Sequence, residues 1–413
     1  MFLTTILLKF TFDSIYVNYI YPYFAYETFT MQYSPNKQVV SYLLVLITVI
    51  LLYFFEKDNR SIKIPYFFLF FSLVLPFSTI YVFEAMDIKY FLSVYFCFNL
   101  ILFLSIVTPD FKIKWPEKNI LIIPFSIMFI IYFYTYIMLI LNGGFSRINF
   151  NLNEVYETRE LLSENSFFLS SYVISWIGYS FNPLLIVVGL YNKNKKLFFI
   201  GLILQIILFG MTNFKSFLFS IPLILLVYYV SRMKFHYNII CVGITVLMIF
   251  LYFSFIYSGN ITLSSILVRR QFFVPAHLHY LYNDFFTKNP LIYLSDSIFK
   301  YFTTYPYNDG VTRIIGMEYW GKKFGPNVGF FGNAFYNFGY LGILTFSLLL
   351  FIFTKLIVSF ESKVPKYLIC SIILVPFMAL INSGFLTTLL THSLLISVLN
   401  IWFIGSIIKQ EEA

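Results

Sequence analysis

The sequence predicts an all-α fold, a polytopic bundle of transmembrane helices with one long extracytoplasmic loop. Three observations carry this. Apolar residues fill 59% of the 413 positions and charged residues only 11%, whereas a soluble domain carries about 25% charged residues. The apolar residues lie in continuous runs near the ~20 residues that a helical span needs, which excludes the alternating pattern of a membrane barrel. Lys and Arg gather in every second connection between the runs, as the positive-inside rule requires of a multi-pass protein.

Taken in order, Phe2–Ala25 is the weakest candidate, because it carries Lys9, Asp13 and Pro22. It either spans or lies in the interface. Clear runs follow at Val39–Phe55, Ile64–Phe83, Tyr90–Val107, Ile120–Leu141 and Phe167–Leu190. Residues Leu197–Val230 are too long for one span and divide into Leu197–Met211 and Phe217–Val230, with a turn at Thr212–Ser216. The rest are Ile239–Tyr257, Phe338–Ile357, Tyr367–Ile381 and Phe385–Ile408. The expectation is twelve spans, or eleven if the first fails, in a single integral membrane domain over residues 1–413.

Fifteen Lys and Arg lie in one set of connections, from Lys57, Arg60 and Lys63 through to Lys409, against Lys37, Lys89 and Lys215 in the short connections of the other set. The first set is therefore read as cytoplasmic, with the C-terminus on that side. Two longer loops then face outward. Loop one is residues 142–166 and loop two is residues 258–337, too long for a mere connector. Its apolar stretches Ile266–Phe286 and Leu291–Thr303 are expected to form short helices lying on the membrane surface.

The same reading excludes several functions. Cys97, Cys241 and Cys370 lie inside apolar runs, so no disulfide framework is expected. The four His and three Cys show no zinc spacing, no GxxxxGK[ST] loop is present and no DxD occurs, so neither a metal nor a nucleotide is called for. The formal net charge of +9 is largely topological and implies no nucleic-acid partner. One long loop set asymmetrically in the chain argues against the related halves of many transporters.

Outward-facing cations are then the candidates for chemistry. Loop one carries Arg147 and Arg159, and loop two carries Arg269, Arg270, Lys288, Lys300, Arg313, Lys322 and Lys323. Lys215 stands in a turn after a 15-residue run, too short to cross a ~30 Å core, so its amine is expected to be buried and functional. Among the acidic residues on this face, Asp284 and Glu318 are candidates. Asn327, Asn333 and Asn337, set among Gly329, Gly332, Gly339 and Gly342, supply amides suited to sugar hydroxyls or phosphate. Arg270, His277 and Asp284 are spaced by seven, which would place them on one helix face. Pro275 favours a helix beginning there, carrying His277 and Asp284. His277 suits a base because imidazole titrates near neutrality. Asp284 is the second candidate, and His279 and Glu318 remain open.

Four segments carry a family resemblance. They are Glu154-Val-Tyr-Glu-Thr-Arg159, Thr212-Asn-Phe-Lys-Ser216, Arg270-Gln-Phe-Phe-Val-Pro-Ala276 followed by Tyr282-Asn-Asp-Phe-Phe286, and Asn327–Gly342. With these, and in the order of spans and loops, the chain resembles the O-antigen polymerases of the Wzy type. O-antigen ligases are similar in plan. The resemblance implies a bacterial inner-membrane enzyme that works on its extracytoplasmic side, with no cofactor. It would transfer a glycan from undecaprenyl diphosphate to a hydroxyl of a new lipid-linked repeat unit, for O-antigen or capsule. Membrane lipid and a chain-length regulator are the further partners implied. Arg270, Arg159 and Lys215 would clamp the diphosphate, with Arg147, Arg269, Arg313, Glu318, Asn327 and Asn333 binding substrate. A ligase-like glycosyltransferase and a lipid-linked oligosaccharide flippase are the competing readings.

Overall fold

The computed structural model describes residues 1–148, 162, 165–297 and 299–407, with the Lys118 side chain left aside. Every regular element among the described residues is helical. Eight helices are long and apolar enough to cross a membrane, so the chain is a multi-pass helical membrane protein. They are α2 (Pro35–Lys57), α3 (Lys63–Phe83), α4 (Ile88–Val107), α5 (Asn119–Leu141), α6 (Ser170–Tyr191), α7 (Lys195–Thr212), α9 (His236–Ser258) and α12 (Phe330–Ser362). Shorter apolar helices are α8 (Lys215–Val230), α13 (Lys366–Ile381) and α15 (Leu394–Ile404). The remaining elements are α1 (residues 2–24), α10 (residues 261–288), α11 (Val311–Trp320) and α14 (Phe385–Leu390).

The chain divides into two compact units. The first holds Met1–Pro109, Phe235–Thr354 and Leu380–Phe385, and the second holds Asp110–Lys234, Lys355–Ala379 and Leu386–Ala413.

In the first unit α3 is the central helix, with 94% of its apolar window buried. Its faces are covered by α1, α2, α4, α9 and α10. Local sequence sets the ends. Ser34 caps α2 by accepting from the Lys37 N–H, and Asp87 caps α4 by accepting from the Lys89 N–H, as N-cap Ser and Asp do. The N-terminal run is a helix whose Lys9 and Asp13 are both buried and bonded to each other, with Thr79 bridging them and Tyr42 donating to Asp13 at 3.1 Å. Residues 2–24 are thus helical, with one face buried in the unit and the other, including Leu3, Leu7 and Phe10, exposed.

Loop two departs from expectation. Residues 261–288 form one continuous helix, sunk against α1 and α3 through Phe272 and Phe273 on Phe12 and through His279 on Phe77. It is buried within the unit, with Phe273, His277, His279 and Tyr282 all closed off from solvent. The described residues of Leu291–Thr303 form turns rather than a helix, pinned where the Ile292, Tyr293 and Leu294 N–H groups donate to Tyr336 O, Asn337 O and Asn337 Oδ1. The span expected at Phe338 begins at Phe330 and bends at Phe338–Gly339, where Gly339 holds φ +61°. A glycine suits that bend because a Cβ is strained at positive φ.

Among the described residues, four helices contain a wide, π-type turn, at Tyr16–Ile20, Phe70–Val74, Ile177–Phe181 and Ser265–Phe273. Each ends two residues before a proline: Pro22, Pro76, Pro183 and Pro275. Proline offers no N–H and crowds the carbonyl four residues back, and widening the ladder relieves that crowding. Pro275 therefore does not begin a helix, as the sequence suggested. The helix runs through it.

The second unit packs α5, α6, α7, α8, α13 and α15, with a core of Ile174, Ile177, Phe181, Leu208, Phe209, Met211 and Phe217. A buried amide network crosses it. Tyr132 donates to Asn182, Asn182 to Gln205 Oε1, and Gln205 Nε2 to Gly178 O at 2.9 Å and Ser220 Oγ at 2.9 Å. The wide turn explains the bond to Gly178 O. Asn182 N–H bonds to Ile177 O and Pro183 has no N–H, so Gly178 O has no partner within its own helix.

Candidate functional site

The strongest polar constellation lies in the first unit, where α3 ends at Phe83 and α2 and α4 begin. It is built from three distant segments: residues 16–29 of and after α1, Glu84 at the end of α3, and Arg269 and His277 on α10. Glu84 is fully buried. Its Oε1 accepts from Tyr16 OH and its Oε2 from His277 Nδ1, each at 2.7 Å. The contact at Nδ1 turns Nε2 the other way. There Nε2 meets the Thr28 hydroxyl at 2.8 Å. Phe29 stacks on the imidazole with centroids 4.3 Å apart, and Tyr16 stacks on Phe83. Lys37 Nζ donates to the main-chain oxygens of Glu84 and Met86, which anchors the turn that carries the carboxylate.

One turn of chain away, Glu27 pairs with Arg269, Oε1 to Nη1 at 2.6 Å. Arg269 is 5% exposed, lies over the Phe24 ring at 4.4 Å and donates through Nε to Ser265. Its Nη1 has no acceptor in hydrogen-bond alignment. Thr28 sits in the left-handed region at φ +73°, and its hydroxyl donates to Glu27 O at 2.5 Å.

The expected residues divide as follows. His277 is central to this cluster. Of the arginine pair, Arg269 is buried and Arg270 is exposed, so Arg269 is the one built into the cluster. Arg270, His277 and Asp284 do not share a face: the first is exposed, the second buried and the third half-buried. The wide turn that ends at Phe273 shifts the helical phase between Arg270 and His277. Asp284 is already committed, accepting from Lys288 and from Tyr319 OH at 2.7 Å each. Tyr280, on the same helix, has its phenol pushed up to about 12 by burial and by the charges of Glu84 and Asp284. His279 is buried and donates from Nδ1 to Pro275 O, while burial lowers it to about 4. It is neutral near pH 7 and remote from any open surface.

Arg313, Glu318 and Asn327 are exposed on and after α11. Asn333 is half-buried and donates to Tyr336 OH, while Asn337 is buried and holds the 291–295 turn. In the second unit Arg147 is half-buried, and burial lowers its guanidinium. Lys215 opens α8 and is half-buried rather than buried. Arg159 and the Glu154–Arg159 segment lie outside the described residues, as does Lys409. The sequence reading singles out none of Thr28, Tyr16 and Glu84. The available signal was that Glu84 ends a span without another charge after Lys63.

Chemically, the cluster presents an oriented imidazole Nε2, a carboxylate behind it and a desolvated guanidinium. That set can remove a proton from a hydroxyl and hold an anion beside it. No family model, no curated protein and no solved structure matches this chain.

Proposed function

We propose that this chain is a polymerase of polyprenyl-diphosphate-linked glycan repeat units in a bacterial inner membrane. The observation that carries the reading is the buried Glu84–His277 pair, which aims Nε2 at a hydroxyl. In the reaction, Nε2 takes the proton of the acceptor hydroxyl, and the acceptor oxygen bonds to the anomeric carbon of the growing glycan. The bond from that carbon to the diphosphate breaks, and undecaprenyl diphosphate leaves with the electron pair. Glu84 stabilises the imidazolium as it forms, and buried cations stabilise the departing phosphate charge. Arg269 is the clamp residue that the cluster supports. Arg270, Arg159 and Lys215 remain proposals from the sequence. The energy comes from the diphosphate linkage, so the absence of a nucleotide-binding motif fits.

The topology proposed with it has twelve spans: the eight long helices, α8, α13 and α15, and α1. Lys57, Arg60 and Lys63 support a topology in which the opposite end of the first unit, with Glu84 and His277, faces outward. A flippase is the second reading, favoured by the buried Lys9–Asp13 pair, since charges inside the bilayer often mark a transport path. Deleting the gene and analysing surface glycan decides between them. A single repeat unit on each acceptor supports the polymerase, and no glycan at all supports a flippase or a ligase.

A further inference from the structure

Two consecutive residues occupy both working groups of the cluster. Glu27 places a carboxylate on the Arg269 guanidinium, and Thr28 places a hydroxyl on His277 Nε2. Arg269 and His277 stand eight residues apart on one helix, so a two-residue tip spans them through one short turn. We infer that this tip is an internal mimic of the substrates: Glu27 stands where a donor phosphate binds, and Thr28 stands where the acceptor hydroxyl binds. The inference rests on the polymerase reading for the identity of the ligands and specifies which atom receives each one.

Three features support it. The Arg269–Glu27 contact is short but leaves Nη1 without an aligned acceptor, so a phosphate, with more oxygens to offer, satisfies that buried guanidinium better. Thr28 is held at φ +73°, a conformation unfavourable for a β-branched residue, so the closed tip is strained and readily displaced. Glu27 and Thr28 are only half-buried while Arg269 and His277 are buried, so the tip covers the site from the open side. Because Glu27 and Thr28 are adjacent, displacing the carboxylate from Arg269 also withdraws the hydroxyl from Nε2. An anion on Arg269 thereby uncovers the base, which keeps the base away from water until a donor is present.

The test uses purified full-length protein in detergent, with inorganic pyrophosphate as the anion and diethyl pyrocarbonate as the reporter of free Nε2 at His277, read by mass spectrometry. In the wild type, pyrophosphate should accelerate modification of His277. Glu27→Gln should bind pyrophosphate about tenfold more tightly, within the usual range of site coupling, and adding Arg269→Gln should abolish that gain. Thr28→Gly, which suits the positive φ, should make His277 react quickly with or without pyrophosphate. A wild-type His277 that pyrophosphate leaves unchanged or protects overturns the inference, as does a folded Glu27→Gln protein with unchanged affinity. Neither readout needs glycan. A deletion strain with normal surface glycan would therefore remove the polymerase reading and leave the mimic to stand or fall by these measurements.

Discussion

Replacing Glu84 by Gln removes one charge from a site with no exposure to solvent. The shape is nearly kept. The amide oxygen can still accept from His277 Nδ1, and the amide nitrogen then faces Tyr16, whose hydroxyl already reaches Thr30 O at 2.7 Å. What is lost is the negative charge that balances the imidazolium as it forms. Hydrogen bonds to charged groups are worth roughly 1.5–3 kcal/mol, which is about 10- to 150-fold in rate at 1.36 kcal/mol per decade. The assay is glycan extension by protein reconstituted in proteoliposomes with a lipid-linked repeat unit, alongside the glycan ladder in cells at matched protein level. His277→Ala should lose turnover while still binding donor, and Glu84→Gln added to it should lose little more, because Glu84 acts through His277. Glu84→Gln at more than half the wild-type rate, or two losses that multiply in the double variant, would refute the reasoning.

Four further outcomes are expected. Lys9→Met alone leaves Asp13 buried without its cation and should cost about 3–5 kcal/mol. Lys9→Met with Asp13→Leu should recover most of that loss, as read by melting in detergent. Gly339→Val should destabilise α12 by about 1–3 kcal/mol, because φ +61° with ψ −144° is open essentially to glycine alone, seen as a lower melting temperature with little change in donor binding. His279 prefers its neutral form when folded, so stability should fall as the pH drops below about 6.5, by up to ~3 kcal/mol on approaching its lowered value of about 4. His279→Leu should flatten that slope without altering the rate profile near neutrality. Cysteines at Thr304 and Asn308, both exposed, should react with an impermeant thiol reagent in intact spheroplasts. Labelling only after lysis would reverse the orientation.

Hydropathy made most spans readable, since each is a local property of about twenty residues. The wide turns are legible in principle, because each precedes a proline, but Pro275 reads as a helix start and Pro76 and Pro183 sit inside apolar runs, with no local sign of a phase shift. Loop two misled because Ile266–Phe286 mixes arginines with aromatics, which looks interfacial in isolation. Its burial depends on Phe12, Phe77 and Glu84, residues that local pattern cannot connect to it. The site followed the same division. His277 and Arg269 stood out by residue type alone. Glu84 looked like any carboxylate in a short connection, and nothing in the sequence separates Thr28 from other threonines.

The buried Lys9–Asp13 and Glu84–His277 contacts of the first unit also differ in when they can form during synthesis. Lys9 and Asp13 are four residues apart on one helix, so they can meet as soon as α1 coils. Each alone would add about 2.5–3.5 kcal/mol to insertion at the centre of a span, and together they enter the lipid as a locally neutral segment. Glu84 is 193 residues ahead of His277. At 5–20 residues per second that is a wait of roughly 10–40 s, during which the carboxylate has only Tyr16 and the nearby Lys37 for company. The bundle around α3 can therefore assemble first and receive α10 as a late insertion, so the candidate site is absent from any nascent chain that ends before residue 277.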